Sequence, residues 1–275
     1  MLHSFAGSDG SAPIGPVIQA TNGLLYGTAQ QGGATIDGAA FSLSLTGVFT
    51  PFYNFGRYGD APAGGFVQAT NGNLYAATQD GGGVDGGMLV EITPAGTLVS
   101  AHSFTPDIGV APTGTLIQAT DGNFYGTTAR DGGDQQGSLF ELTSDGGFVK
   151  LHTFSGNDGG APAGGLVQAT DGNFYGTALT GGSHGYGTVF RLSMGLAPFV
   201  KTVPWFGKIG TPVTILGTNL TGASSVTFNG APSEFTVLSP TAIITHVPIG
   251  ATSGTLQVVT PGGTLSSNIA FELLP

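Results

Sequence analysis

One aspartate stands in each of four glycine-rich segments that precede an Ala-Pro pair, and these carboxylates are the side chains best suited to metal chemistry. They are Asp9, Asp60, Asp107 and Asp158. Converging carboxylates repel one another unless a cation joins them, and Ca²⁺ prefers such oxygen ligands. The four aspartates are therefore predicted as calcium ligands. The alternative is that each aspartate binds the backbone of its own turn, since it precedes the proline by four, two, five and four residues, which is unequal spacing for a ring.

His184, in the loop GGSHGYG, is the best candidate for a general base. Next to a metal-polarised ester or lactone carbonyl, His184 or Asp158 would activate water, and both are the predicted catalytic residues. The alternative is an exposed loop histidine without a catalytic partner. Three other histidines share one repeated slot, which predicts packing or hydrogen bonding: His3, His102 and His152.

These residues belong to an internal repeat of about fifty residues. Three positions recur with spacings of 49, 50 and 50 residues. The recurring residues are Pro13, Pro62, Pro112 and Pro162, then Gln19, Gln68, Gln118 and Gln168, then Tyr26, Tyr75, Tyr125 and Tyr175. The glutamines are expected to tie neighbouring units through the backbone, or else to line a central channel.

Each repeat predicts four short antiparallel strands. The first ends in Gln-Ala-Thr and is followed by Asn-Gly or Asp-Gly, which predicts a hairpin with a type I′ turn. Third strands are predicted at residues 88–92, 138–142 and 188–192, and fourth strands at residues 97–104 and 148–154. Four strands in each unit of this length are typical of a β-propeller blade, with a right-handed solenoid as the alternative.

The first residues of the chain predict how the blades close into a ring. Residues 2–5, Leu-His-Ser-Phe, match the fourth-strand segments 101–104 and 151–154, whereas the fourth repeat has no such segment after residue 193. We expect residues 2–5 to complete the last blade and close a four-bladed propeller without exposed edges. A piece of a longer array, or a ring completed by a second chain, would show the same pattern.

The repeat ends near residue 198, and the remaining residues predict a second β-domain over 199–275. Its expected strands are residues 211–216, 225–228, 234–237, 242–247, 254–260 and 268–273. Strands at this spacing indicate a small immunoglobulin-like β-sandwich. The predicted fold class is therefore all-β, with a propeller over residues 1–198 and a sandwich after it.

Composition limits the classes of partner. A net charge of −10 with six lysines and arginines argues against nucleic acid and anionic membranes, because both require clustered cations. No segment approaches the roughly 18 apolar residues of a membrane helix. There is no cysteine for disulfides or thiolate zinc sites, and no Walker loop, dinucleotide fingerprint or serine-hydrolase elbow. The predicted ligand is a neutral small molecule or a glycan.

Two parts of the chain resemble known families. The elements DGNFYGT, GGxxxxGxxF and LHxF resemble the GloVer tandem repeat of bacterial cell-surface proteins. The segments GTPVTILGTNLTGASSVTFNG and SNIAF look like the IPT/TIG immunoglobulin-like domain. The resemblance implies export and a secreted or cell-surface location. It implies no reaction and no catalytic residues.

Two functional hypotheses follow. The first is an extracellular binding or adhesion propeller that binds calcium, with the immunoglobulin-like domain as a spacer or contact surface. The second is a calcium-dependent hydrolase, a lactonase or esterase, with its site at the axial opening of the propeller. A catalytic site requires one blade to differ from the others, and the polar departures of that kind are Arg57-Tyr58 and His184-Tyr186.

Overall fold

The computed structural model describes residues 1–56, 59–130 and 135–275. All regular elements in these residues are β-strands, which confirms the predicted all-β class. No helix long and apolar enough to span a membrane is present in the described part of the chain. The chain forms two compact units, whose residues are Met1–Val167 with Tyr175–Arg191, and Gln168–Phe174 with Leu192–Pro275.

Four antiparallel sheets follow one another along the four repeats. The first sheet contains β1 (Ile18–Gln19), β2 (Leu25–Ala29), β3 (Ala39–Leu43) and β4 (Phe49–Asn54). The second contains β5 (Asp60–Pro62), β6 (Val67–Gln68), β7 (Leu74–Asp80), β8 (Met88–Ile92) and β9 (Leu98–Ser103). The third contains β10 (Val110–Gln118), β11 (Phe124–Arg130), β12 (Ser138–Leu142) and β13 (Phe148–Thr153). The fourth contains β14 (Gly160–Pro162), β15 (Val167–Gln168), β16 (Phe174–Thr180) and β17 (Thr188–Leu192).

Each repeat folds as one sheet in which neighbouring strands are connected along the chain. In the second and fourth sheets the first strand is split, so that β5 and β6 both pair with β7, and β14 and β15 both pair with β16. The predicted third strands have the same bounds as β8, β12 and β17, and the predicted fourth strands agree with β9 and β13 within one residue. The repeat pattern therefore predicted the sheets correctly.

The turn between the first and second strands is not the predicted type I′ turn. In the third repeat φ is positive at Gly122 (+87°) but not at Asp121. The Asp121 Oδ1 atom accepts a hydrogen bond from the backbone N of Asn123 at 3.1 Å, and Gly122 N donates to Ala119 O at 3.0 Å. This side-chain bond stabilises a three-residue loop that ends in a left-handed glycine. The predicted hairpin is confirmed, whereas the predicted turn type is wrong.

The repeated glutamines tie neighbouring hairpins together. Gln118 Oε1 accepts a hydrogen bond from Thr70 N of the preceding repeat at 2.9 Å, while its Nε2 donates to Gly122 O at 2.9 Å in its own repeat. Gln68 Oε1 accepts from Thr21 N in the same way, at 2.9 Å. The expected inter-repeat role of these side chains is thus confirmed.

Buried side chains fill the space between consecutive sheets. Tyr26 and Phe55 of the first repeat pack with Leu74 and Met88 of the second. Another cluster joins the second and third repeats through Phe104, Phe124 and Phe140. Burial of such large side chains contributes about 1.5–3 kcal/mol each and is the main force holding the sheets face to face.

Residues 2–5 form no strand, and no pairing joins them to β17. Phe5 nevertheless packs on the first sheet, with its ring 5.3 Å from that of Phe41 and 5.6 Å from that of Phe49. Closure of a four-bladed ring by these residues stays a prediction.

The strands of the second unit are β18 (Lys201–Val203), β19 (Phe206–Gly207), β20 (Pro212–Leu216), β21 (Ser225–Phe228), β22 (Ala231–Ser233), β23 (Phe235–Ser239), β24 (Ala242–His246), β25 (Leu256–Thr260), β26 (Gly263–Ser266) and β27 (Glu272–Leu273). They form two four-stranded antiparallel sheets, in the orders β18-β20-β24-β23 and β22-β21-β25-β26, and a parallel pair, β19-β27. Residues of both sheets share one core that includes Ile215, Phe228 and Phe271. Five of the six predicted strands are present within two residues of their predicted bounds, whereas only Glu272–Leu273 of the predicted strand 268–273 forms a strand.

Candidate functional site: an uncharged groove and the acidic loops

A cavity of about 610 Å³ is lined by the first-strand segments of all four repeats. Its walls include Gly15, Ala63, Gly114 and Leu166. None of the described lining residues has an ionisable side chain. A groove of this size and polarity suits a neutral ligand bound by apolar contacts and backbone groups.

Glycine at the inner strands allows the repeats to approach closely enough to form this groove. A Cβ atom added to Gly64 would lie 2.7 Å from the backbone carbon of Gly114, and one added to Gly15 would overlap the backbone of Gly65. Real Cβ atoms do not tolerate such contacts with the backbone, so a side chain at Gly64 would push two repeats apart. The glycines therefore set the width of the groove.

Asp158 is held by groups of its own repeat. Its Oδ2 atom accepts a hydrogen bond from His152 Nε2 at 2.7 Å, and its Oδ1 atom accepts from the backbone N of Ser155 at 2.9 Å and from Ser155 Oγ at 3.0 Å. Burial opposes ionisation, but the bonds from Ser155 and His152 outweigh it and lower the pKa of Asp158. Both carboxylate oxygens thus have partners, one on β13 and the other in the loop that follows it.

Asp9 repeats this arrangement in the first repeat. Its Oδ2 atom accepts from His3 Nε2 at 2.9 Å, and its Oδ1 atom accepts from Ala6 N at 2.8 Å. The backbone bond from Ala6, followed by the bond from His3, lowers the pKa of Asp9. The expected hydrogen-bonding role of the repeated histidines is confirmed for His3 and His152. In both places the histidine and a backbone N–H hold the carboxylate in the loop, and a metal role for either aspartate stays a prediction.

Asp60 has acidic rather than cationic neighbours. Burial, and then the negative charges of Asp37, Asp85 and Asp80, raise the pKa of Asp60. Asp107 is exposed in its loop. Among the described residues, no group of three or more histidine, aspartate or glutamate side chains lies close enough to hold a metal ion. The four predicted ligands are therefore not brought together among the described residues.

His184 lies on an exposed loop. Its Nδ1 atom is 3.0 Å from Ser183 Oγ, and the described contacts include no hydrogen bond to Asp158. Tyr186 of the same loop is 92% exposed, so the loop provides no enclosed site. The other predicted departure from the repeat, Arg57-Tyr58, lies outside the described residues.

The sequence interpretation missed a buried carboxylate in the second repeat. Glu91, 8% exposed, lines a cavity of about 270 Å³. Its Oε1 atom accepts from Asn73 Nδ2 at 2.7 Å and Asn71 Nδ2 at 3.1 Å, and its Oε2 atom from Ser100 Oγ at 2.9 Å. Burial opposes ionisation, but these bonds lower the pKa of Glu91. The sequence did contain a signal for this carboxylate, because only two of the four repeats have a glutamate at this third-strand position. These are Glu91 and Glu141.

Comparison with protein families identifies both parts of the chain. The Gloeobacter/Verrucomicrobia repeat matches residues 1–108 and again residues 56–231. The IPT/TIG domain matches residues 198–273. No curated protein matches the chain.

Several solved structures are similar at low sequence identity. A streptogramin B lyase is 14% identical with a TM-score of 0.47, over 97% of this chain and 85% of that one. A virginiamycin B lyase from Staphylococcus aureus is 13% identical with a TM-score of 0.48, over 96% of this chain and 86% of that one. A gluconolactonase from Xanthomonas campestris is 13% identical with a TM-score of 0.46, over 94% and 86%. None of these similarities assigns an activity to this chain.

Proposed function

The chain belongs to the Gloeobacter/Verrucomicrobia repeat family and carries an IPT/TIG domain, and on that premise we propose that it is a secreted or cell-surface binding module. The four sheets are the blades of a propeller, and the groove along their first strands takes a neutral small molecule or a glycan. The IPT/TIG domain serves as a spacer or a further contact surface.

The uncharged groove carries this proposal. It has a volume of about 610 Å³, within the range of about 300–1,000 Å³ that small-molecule sites occupy, and contributions from all four repeats. General acid–base catalysis needs ionisable groups within hydrogen-bond reach of the substrate. The groove has none among its described lining residues, whereas the aspartates of the loops bind their own turns or face one another.

A binding screen tests the proposal. The purified chain is applied to glycan arrays and to a panel of neutral small molecules, and each hit is measured by calorimetry. Ile117→Glu places a charge in the groove and is expected to weaken binding at least about tenfold, because the buried carboxylate would need to be desolvated. Val99→Glu changes an exposed residue of β9 and should leave the affinity unchanged. Absence of any neutral ligand, or equal affinity of both variants, contradicts the proposal.

Calcium binding is part of the proposal and rests on Asp60. Its pKa is raised by burial and by the negative charges of Asp37, Asp85 and Asp80, which act through their fields and do not form a ligand cluster with it. A divalent cation relieves this electrostatic condition. Asp60 would contribute carboxylate oxygens to the ion, together with backbone carbonyls of its loop.

The alternative function is a calcium-dependent lactonase or esterase. It requires His184 or Asp158 to activate water. Binding is favoured over hydrolysis because Asp158 is tied to His152, and His184 contacts Ser183 on an exposed loop. A pH-stat assay with lactones and esters, with calcium and then with a chelator, separates the two functions. Turnover that disappears in His184→Ala or Asp158→Asn, with the fold retained, would favour the hydrolase.

A further inference from the structure

Each sheet of the first unit joins the next through a repeated backbone contact. The alanine of each Ala-Pro pair donates its N–H to a carbonyl before the third strand of the preceding sheet. The three bonds are Ala61 to Asp37 (3.0 Å), Ala111 to Gly86 (2.8 Å) and Ala161 to Gln136 (2.8 Å). The alanines have φ values of 51°, 54° and 48°, which are uncommon for a residue with a side chain. The prolines that follow them, Pro62, Pro112 and Pro162, are buried.

The first sheet presents the same contact without a partner. Ala12 has a φ of 51°, like its equivalents, but the described residues offer its N–H no acceptor. Pro13 is exposed, unlike the other three prolines. Val17 is 50% exposed, whereas its equivalents are buried: Phe66 at 0%, Leu116 at 6% and Leu166 at 6%. This surface, formed by Ala12, Pro13 and Val17, is called the leading face.

The fourth sheet presents the opposite half of the contact. Val189 of β17 is 80% exposed, whereas its equivalents are buried: Ala40 at 0%, Leu89 at 0% and Leu139 at 2%. Tyr186 occupies the position of the acceptors Asp37, Gly86 and Gln136. The surface formed by Tyr186, Gly187 and Val189 is called the trailing face.

The trailing face also lacks its fourth strand. In the first three sheets a fourth-strand phenylalanine donates its N–H to the glycine that precedes the third strand. These bonds are Phe55 to Gly38 (3.0 Å), Phe104 to Gly87 (2.9 Å) and Phe154 to Gly137 (3.0 Å). Gly187 is the equivalent glycine of the fourth sheet, and no described residue donates to its carbonyl. A strand with the sequence of residues 2–5 would supply that donor from Phe5.

Residues 2–5 form no strand in the single chain, but they lie where the fourth strand of a preceding sheet would pack. The ring of Phe5 lies 5.3 Å from that of Phe41, as Phe104 lies 4.9 Å from Phe140 and Phe154 lies 5.1 Å from Phe190. The His3–Asp9 bond repeats the His152–Asp158 bond. Residues 2–5 therefore extend the leading face by one strand. The edge with which this strand would pair is β17.

We infer that two copies of this chain associate head to tail, with the leading face of each copy on the trailing face of the other. In the register of the other repeats, Ser4 of one copy pairs with Thr188 of the second, as Ser103 pairs with Met88 and Thr153 with Ser138. Phe5 N–H then binds the Gly187 carbonyl, and Ala12 N–H binds the Tyr186 carbonyl. The new interface repeats one that the chain forms internally three times.

Two copies of residues 1–275 are the smallest assembly in which every leading face meets a trailing face. The two faces differ, so the contact is heterologous and ends only when the ring closes. Both faces of one chain are exposed at the same time, so four sheets as packed here do not cover them. Two copies of four sheets make a ring of eight, which lies within the range of about four to eight blades of known propellers.

The mass of the chain in solution tests the inference. Light scattering after size exclusion should give twice the mass of one chain, and Val189→Asp should give monomers, because it places a charge on the trailing face. Val99→Asp is the matched control, an exposed valine of an interior sheet, and should remain dimeric. A monomeric wild-type chain, or a series of larger open oligomers, would overturn the inference.

Cysteine pairs identify which chain covers β17. The protein has no cysteine, so Ser4→Cys and Thr188→Cys each introduce a single thiol. When the two single variants are mixed and oxidised, we expect disulfide-linked dimers that contain one copy of each. The double variant should crosslink between chains as well. A disulfide within one chain of the double variant would show that the chain closes on itself, and would overturn the inference.

Discussion

Gly126 lies directly opposite Phe140 in the third sheet, and a methyl group at Gly126 would lie 2.5 Å from Cζ of the ring. The equivalent pairs are Gly27 with Phe41 in the first sheet and Ala76 with Val90 in the second. The smaller valine thus occurs where the opposite residue is alanine. The larger side chain is thus smaller where the residue opposite it is larger, because the packed interior has no space for both a methyl group and a phenyl ring.

Gly126→Ala is expected to destabilise the first unit by about 2 kcal/mol, the usual cost of overpacking. Phe140→Val destabilises it by leaving a cavity. In the double variant the methyl group occupies part of that cavity. The double variant should therefore lose at least about 1 kcal/mol less unfolding free energy than the two single variants lose together. Urea unfolding measures all three losses. Gly122→Ala is the control, because nothing lies within 4 Å of its added methyl group, and its loss should add to that of Phe140→Val. Full additivity for Gly126 and Phe140 would contradict the packing argument.

Asp158→Asn should cost about 1 kcal/mol or less of folding free energy, since the His152–Asp158 pair is substantially exposed and exposed pairs contribute little. Asp9→Asn should also lower the stability, and the two changes should add, because the carboxylates share no partner. Thermal unfolding measures both. Asp107→Asn, in an exposed loop, is the control and should leave the stability unchanged. An equal loss in Asp107→Asn would indicate that the hydrogen bonds to histidine are not responsible.

Stability should fall in acid partly because of Asp9 and Asp158. Both pKa values are lowered from the ordinary 3.8, Asp9 chiefly by the Ala6 backbone bond and Asp158 by bonds that outweigh burial. The stabilisation by these two carboxylates is complete at a pH above the ordinary pKa of 3.8. It is lost as the pH falls through their lowered pKa values in the folded state. Between about pH 4 and pH 2, the wild-type chain should therefore lose more stability than the double variant Asp9→Asn with Asp158→Asn. Parallel pH profiles for the two proteins would contradict this assignment.

Asp60 should behave in the opposite way. Because burial and three neighbouring carboxylates raise its pKa, its favourable contribution is present at low pH and is lost as the pH rises through the ordinary value of 3.8 towards the folded value. Asp60→Asn should therefore raise the melting temperature at neutral pH without calcium. Differential scanning fluorimetry with a chelator measures this, and a lower melting temperature would contradict it.

Millimolar Ca²⁺ should raise the melting temperature of the wild-type chain, because an ion that binds only the folded state stabilises it. The increase should be smaller in Asp60→Asn and unchanged in Asp107→Asn. No increase in the wild-type chain would contradict calcium binding, and an equal increase in all three proteins would place the ion away from Asp60.

Local patterns predicted the elements of this protein well. The bounds of β8, β12 and β17 follow from apolar residues between glycine-rich turns, a property of each strand by itself. The turn type was wrong because Asn-Gly and Asp-Gly permit several hairpin loops. Here the Asp121 side chain selects the one with a negative φ at its own position.

The sequence by itself determined the four repeats, their strands and the second β-domain, because strand alternation and turn glycines act over a few residues. Only the tertiary structure decided the surroundings of the candidate side chains. Asp158 binds His152, burial and the charge of Asp37 from another repeat raise the pKa of Asp60, and the described lining of the groove carries no charge. Partners and burial depend on how separate backbone segments converge, and a pattern within one segment does not encode that convergence. The same reason explains why Val17 and Val189, ordinary strand residues in sequence, are the uncovered positions.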